Sequence, residues 1–155
     1  MAQESNKKYN KLMIDAHLGR LCKLLRFAGI DCKSAQHLSE GAIISSCKRE
    51  NRLFISRNKH LSAQIRTLPH LVLNETNIIP QLKEIRHSLL FNIEDIYTRC
   101  TICNNKLLPA LIPSIRLQNM PEDPLNLKIC THCNHFYWEG THYQKMRITL
   151  TDTLL

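Results

Sequence analysis

The chain has 155 residues, enough for one domain or for a small domain beside a metal-stapled one. Its 43% hydrophobic and 22% charged residues are ordinary for a globular protein, but a net charge of +8 is not, and it points to an acidic partner, most simply nucleic acid, with a merely soluble basic protein as the plain alternative. No apolar run approaches the roughly 20 residues of a membrane span, residues 1–9 carry no apolar signal core, and four glycines exclude a Gly-rich phosphate loop.

In chain order, residues 1–10 read as a polar, partly disordered tail. Leu12-Met13-Ile14 reads as a short buried strand ending at Asp15. Apolar residues then recur at Leu18, Leu21, Cys22, Leu25 and Ala28, the spacing of one helical face, and Gly29 reads as the helix C-cap. Residues 30–34 show a weak strand pattern. Ser39 N-caps a second helix with Ile43, Ile44 and Cys47 inward. Leu53-Phe54-Ile55 is a strand, followed by Ser56-Arg57-Asn58, a short helix through Leu61 and Ile65, and a strand at Leu71–Leu73. Asn77 can cap a helix with Pro80 near its first turn, running to about Leu90. Strands alternating with helices predict an α/β fold, a parallel sheet with flanking helices, whose ligands bind at the carboxyl ends of the strands. Asp15 and Asn58 fall at such ends.

The composition changes near Ile96. The rest of the chain holds four prolines and two hooks, Cys100-Thr101-Ile102-Cys103 and Cys130-Thr131-His132-Cys133, separated by 26 residues. Zinc takes four soft or borderline ligands in a tetrahedron, and a two-residue gap lets both sulfurs of one turn face the same ion. Disulfides, a redox pair or unrelated thiols are the other readings. Asn104-Asn105 and Asn134 follow the hooks, where tight turns tolerate Asn at positive φ. A zinc ion on Cys100, Cys103, Cys130 and Cys133 would remove about 2 of the positive charge. The remaining cysteines, Cys22, Cys32 and Cys47, stand singly, which suits a reducing cytoplasm. The predicted division is an α/β domain over 11–95 and a small zinc ribbon over 96–155. The stretch from Tyr143 to Leu150 reads as the ribbon's last strand or as a helix.

A closed four-cysteine site has no open position for chemistry, so any catalysis must lie elsewhere. Asp15 closes a strand and Glu40 begins a helix. Carboxylates so placed can converge on Mg²⁺ or Mn²⁺, which activates water and stabilises charge during phosphodiester cleavage. The competing readings are a helix cap for Asp15 and a dipole partner for Glu40. Arg20, Lys23 and Arg26 lie beside or opposite the apolar stripe of the first helix. With His17 and Arg57 they form either a phosphate-binding surface or a solvated face. His132, His135 and His142 crowd the second hook as possible substitutes for a cysteine ligand or as solvent-facing residues. Phe136-Tyr137-Trp138 can stack on bases or pack the ribbon.

The segments Asp15-Ala16-His17-Leu18-Gly19-Arg20-Leu21, Leu25-Arg26, Gly29-Ile30-Asp31 and Glu50 to Arg57 together resemble the Mut-seven C-terminal RNase domain family. Arg99-Cys100 through Cys103-Asn104 and Tyr137-Trp138-Glu139-Gly140-Thr141-His142 resemble its zinc ribbon, so the resemblance covers about residues 11–150. It implies a PIN-like α/β domain fused to a zinc ribbon, acting on RNA through acidic residues and Mg²⁺ or Mn²⁺. By position, the first metal-binding Asp is Asp15. The second falls on Glu40, where Asp is expected, and the third, the Asp of the family's Thr-Arg-Asp, falls on Asn58. One carboxylate is thus lengthened and another replaced by an amide, which lowers the charge that a divalent ion depends on.

The sequence therefore reads as a cytoplasmic ribonuclease of the PIN-like, zinc-ribbon type, weakened at Asn58, with Zn²⁺ as a structural ion and RNA as partner. A non-catalytic RNA-binding module and a protein-interaction module are the alternatives.

Overall fold

The computed structural model describes residues 7–115 and 117–155. Of the expected polar tail, residues 1–6 lie outside the described residues. Tyr9 within it is buried, and its backbone bonds with Ser88 and Leu90 tie it to the domain.

Four strands, β1 (Lys11–Ile14), β2 (Asp31–Ser34), β3 (Leu53–Ser56) and β4 (His70–Val72), form a parallel sheet in the order β2-β1-β3-β4. Helix α1 (Gly19–Phe27) joins β1 to β2, and α2 (Glu40–Glu50) carries the chain back across β1 to β3. The sheet is buried on both faces because alternate side chains leave on opposite sides. Leu12, Ile14, Leu53 and Ile55 enter the larger core with α1 and α3 (Ile78–Ile85). Met13 and Phe54 enter a smaller core with Cys47, Ile65 and Leu68.

Local signals account for the helix ends. Gly29 adopts φ 86°, and its ideal Cβ position would lie 2.2 Å from the Asp95 carbonyl oxygen, so no other residue fits there. The Ser39 hydroxyl accepts the Ala42 N–H at 3.2 Å and caps α2. Asn77 precedes α3 without a side-chain cap bond, and α3 stops at Ile85, short of Leu90, before one 3-10 turn. The helix expected through Leu61 and Ile65 is only a 3-10 turn at Ile65–Thr67.

At the amino edge of the sheet, Arg52 is 2% exposed. Its guanidinium donates to the Leu12 and Asp31 carbonyls, to Asp31 Oδ1 at 2.8 Å and to Glu50 Oε2 at 2.6 and 2.8 Å. Lys33, followed by Arg52 and Arg49, holds the Glu50 carboxyl far below the ordinary range despite its partial burial. Burial raises Asp31, but bonds from Arg52 and Asn104 outweigh it and leave its pKa lowered.

The second part begins with the two hooks. Its strands β5 (Leu108–Pro109), β6 (Lys128–Ile129) and β7 (Phe136–Tyr137) form a small antiparallel sheet. From it, α4 (Thr141–Leu154), inside the segment 96–155, returns to the α/β core. Leu150 is fully buried there, with Tyr143, Met146 and Leu154 packed against the same cluster. The stretch 143–150 is thus helical.

Candidate active site and metal centre

β1 and β3 are neighbours, while the chain leaves them in opposite directions across the sheet. Their carboxyl ends therefore open a crevice where a parallel sheet binds ligands. Asp15 follows β1, and its N–H donates to the Ile55 carbonyl at 2.9 Å. Its side chain makes no cap bond to the 3-10 turn Ala16–Leu18, so the capping reading is not realised. Instead Asp15 Oδ2 accepts the Ser56 hydroxyl at 2.5 Å, a charge-assisted bond of the short kind. The same Ser56 oxygen accepts the Asn58 N–H at 2.9 Å. One buried hydroxyl thus joins the first and third carried-over positions.

Glu40 lies in the first turn of α2 and is exposed. Its Oε1 accepts the Ser62 hydroxyl at 2.8 Å, and Ser62 Oγ also accepts the Ile65 N–H. The loop from Ser56 to Ser62 is therefore anchored to Asp15 at one end and to Glu40 at the other. Asn58 Oδ1 accepts the His60 N–H at 2.9 Å, an Asx-turn. An amide oxygen has a second lone pair, so this bond does not remove it as a donor, but it fixes the side chain to its own loop. Two carboxylates and an amide are hard oxygen ligands suited to Mg²⁺ or Mn²⁺, with one negative charge fewer than three carboxylates.

Among the basic residues, His17, Arg20 and Arg57 line one cleft of about 370 Å³ beside the start of α3. Lys23, one turn further along α1, lines a different cleft with Tyr97 and Trp138. Arg26 is engaged elsewhere. Its Nε donates to the Cys32 carbonyl at 2.7 Å, and Nη1 donates to the Thr101 and Ile102 carbonyls at 3.1 and 2.7 Å. It therefore clamps the first cysteine hook onto β2.

The hooks are two copies of one turn. Asn104 and Asn134 both take positive φ, 70° and 58°, and their N–H groups donate to the Cys100 and Cys130 carbonyls. Cys100 and Cys130 N–H donate to the Asn105 and His135 carbonyls at 2.8 and 2.9 Å. The sulfurs of Cys100, Cys103, Cys130 and Cys133 lie within 4.8 Å of one another, and two pairs approach to 3.3 and 3.5 Å. Zn–S bonds of about 2.3 Å in a tetrahedron place sulfurs about 3.8 Å apart, so the cluster can hold a structural metal such as zinc. Asn105 Nδ2 donates to Cys103 Sγ at 3.4 Å, and the Tyr137 hydroxyl lies 3.0 Å from Cys100 Sγ. Burial raises the Cys103 thiol, but hydrogen bonds from Asn105 outweigh it and leave it at about 6. Burial pushes the Cys133 thiol up to about 12. Thiolates this close repel one another, and a central divalent cation relieves that repulsion. Among the described residues no histidine belongs to this cluster, and His132, His135 and His142 are exposed.

Sequence reasoning passed over Ser56 and Ser62 as site residues and read Asn104 only as a turn residue. Ser56 stands where the resembled family has Thr, so a hydroxyl at the end of β3 was an available signal. Asn104 does more than turn the chain: its Oδ1 accepts the Cys32 N–H at 3.0 Å and its Nδ2 donates to Asp31 Oδ1 at 2.8 Å, which pairs the exposed edge of β2. Nothing local in the sequence indicates that docking.

No curated protein and no solved structure matches the chain. The family model described as Mut7-C RNAse domain matches residues 10–150. With that match over nearly its whole length, the chain belongs to the Mut7-C RNAse domain family.

Proposed function

We propose that this protein is a metal-dependent ribonuclease acting on RNA in the cytoplasm, with Asp15, Glu40 and Asn58 as its ion-binding residues and a zinc ion on its four clustered cysteines. The observation that carries the reading is the Asp15–Ser56–Asn58 chain of hydrogen bonds across the carboxyl ends of β1 and β3, in a member of an RNase-domain family. A bound Mg²⁺ or Mn²⁺ would polarise the scissile phosphate and lower the pKa of attacking water. Ser56 holds the Asp15 carboxylate in one orientation and spares its second oxygen. Ser62 does the same for Glu40. Arg20, Arg57 and His17, which share one cleft, fix the phosphates beside these carboxylates. Lys23 extends that surface by one turn of α1. Arg26 is left out, because its guanidinium already serves three carbonyls. Thiolate ligands persist in a reducing compartment, which supports the cytoplasm.

A second reading, a non-catalytic RNA-binding module, is favoured by one observation: the Asn58 oxygen is committed to an Asx-turn and brings no charge. The test is a cleavage assay on mixed RNA with and without Mn²⁺, with Asp15→Asn as control. Mn²⁺-dependent cleavage lost in Asp15→Asn supports the ribonuclease. RNA retention without cleavage at any Mn²⁺ level supports the binding module.

A further inference from the structure

Beside the ribbon lies a cleft of about 590 Å³ whose walls include Tyr97, Phe136, Trp138, Tyr143 and His142, with Lys23 of α1 at its border. Its aromatic frame is fixed. Tyr97 and Tyr143 meet edge to face at 4.9 Å, and Tyr97 and Tyr137 at 6.3 Å. Lys128 Nζ sits 4.6 Å from the Tyr97 ring centre and donates to the Tyr97 carbonyl at 2.8 Å. Of the remaining rings, Tyr143 also packs against the main core, whereas Phe136 and Trp138 belong to no buried cluster among the described residues. Phe136, Trp138 and Tyr143 are each only half-buried, whereas Tyr97 is 3% exposed.

The half-buried rings offer flat faces, and two polar groups belong to the lining residues. The Tyr97 hydroxyl is the only buried side-chain polar atom among the described residues without a hydrogen-bond partner. Such a group costs stability unless something accepts from it. Burial raises its pKa, so it remains a protonated donor at neutral pH. Lys23 supplies a positive charge at the border, in a chain of net charge +8, so the complementary ligand is anionic. A nucleotide combines a planar base with an anionic phosphate.

We propose that this cleft holds an unpaired nucleobase of single-stranded RNA, stacked on Trp138 and Phe136, with its phosphate at Lys23. The proposal rests on the RNA-directed reading above and deepens it by naming the strandedness of the substrate. Lys23 lies three residues from Arg20 on α1, so the two project from adjacent turns of one face. Arg20 belongs to the cleft of His17 and Arg57. A single strand can therefore run along α1 from the Asp15 edge to the aromatic cleft. A duplex cannot, because its bases are paired and stacked among themselves.

Trp138 is the chain's only tryptophan, which makes its fluorescence a direct reporter. The full zinc-loaded chain is titrated with oligouridylate and, separately, with the same strand annealed to oligoadenylate. Mn²⁺-dependent cleavage of mixed RNA is measured in parallel. Saturable quenching by the single strand, absent with the duplex, is expected. Lys23→Ala should weaken it several-fold, and Trp138→Leu should weaken binding of end-labelled oligouridylate by roughly tenfold. Equal quenching by both forms, or quenching indifferent to Lys23→Ala, overturns the proposal. Cleavage without quenching overturns the cleft while the ribonuclease stands. Quenching without cleavage upholds the cleft and removes catalysis. Neither signal removes both.

Discussion

Ser56 does more at the site than its size suggests. It is fully buried, donates to Asp15 and accepts from the Asn58 N–H. Ser56→Ala removes a charge-assisted bond to the half-buried Asp15 carboxylate and the acceptor of the Asn58 N–H, which costs about 1–3 kcal/mol. Thermal unfolding should register that loss, and cleavage should fall with it because Asp15 is no longer held. Asp15 was legible in the sequence because it ends an apolar run, and strand ends carry ligands in parallel sheets. Ser56 was legible only through the hydroxyl that the resembled family also carries there, because a serine after an apolar strand usually only turns the chain. Arg26 shows the opposite limit. Helical periodicity places it on a polar face, and nothing in the spacing of a single helix reveals that three carbonyls of distant segments wait there.

The strands are short, and their ends are where charge is managed. At the amino edge, Arg52 lies buried between Asp31 and Glu50. Both carboxyls have folded pKa values below their ordinary ones, so the folded state binds their protons less readily than the unfolded chain. Their contribution to stability is complete above the ordinary carboxylate pKa of about 4 and is lost as pH falls through the lowered folded values. Stability measured by denaturant unfolding should be flat from pH 7 to about 5 and decline below it. Arg52→Met removes one partner of this buried group, so it should destabilise the chain by roughly 3–5 kcal/mol and flatten the acid decline. The alternation of Leu12, Met13 and Ile14 between two cores follows from strand geometry alone, so the sheet was readable from its apolar runs. α3 was overextended, because apolar Leu89 and Leu90 continue a helical pattern although the backbone has already turned at Arg86–Ser88.

At the level of the whole molecule, the ribbon and the α/β sheet are tied at two places. Arg26, Asn104 and Arg99 bind the first hook to the edge of β2, the last through a bond to the Gly29 carbonyl at 3.2 Å. α4 then brings the chain back to bury Leu150 in the main core. Periodicity alone could not reveal this return, because the loosely patterned stretch 143–150 fits a strand or a helix equally. Stripping the proposed zinc ion with a chelator, or changing Cys130 to Ser, should release the hooks and raise hydrogen exchange through the ribbon. It should also loosen α4 and expose β2, while β1 and β3 remain protected. Unchanged exchange in β2 would mean that the hook does not cover that edge. RNA affinity should fall steeply with salt, and Arg20→Glu with Arg57→Glu should abolish binding while the circular dichroism spectrum is kept.

Asp15, Glu40 and Asn58 are proposed here as a divalent-ion site made weak by one missing charge. The direct measurement is the rate of RNA cleavage across a Mn²⁺ titration, for the unaltered chain, Asn58→Asp and Asp15→Asn. Slow cleavage at high Mn²⁺ is expected in the unaltered chain, faster cleavage at lower Mn²⁺ in Asn58→Asp, and none in Asp15→Asn. Vigorous cleavage by the unaltered chain that Asp15→Asn leaves intact, or no gain in metal affinity from Asn58→Asp, would contradict that proposal.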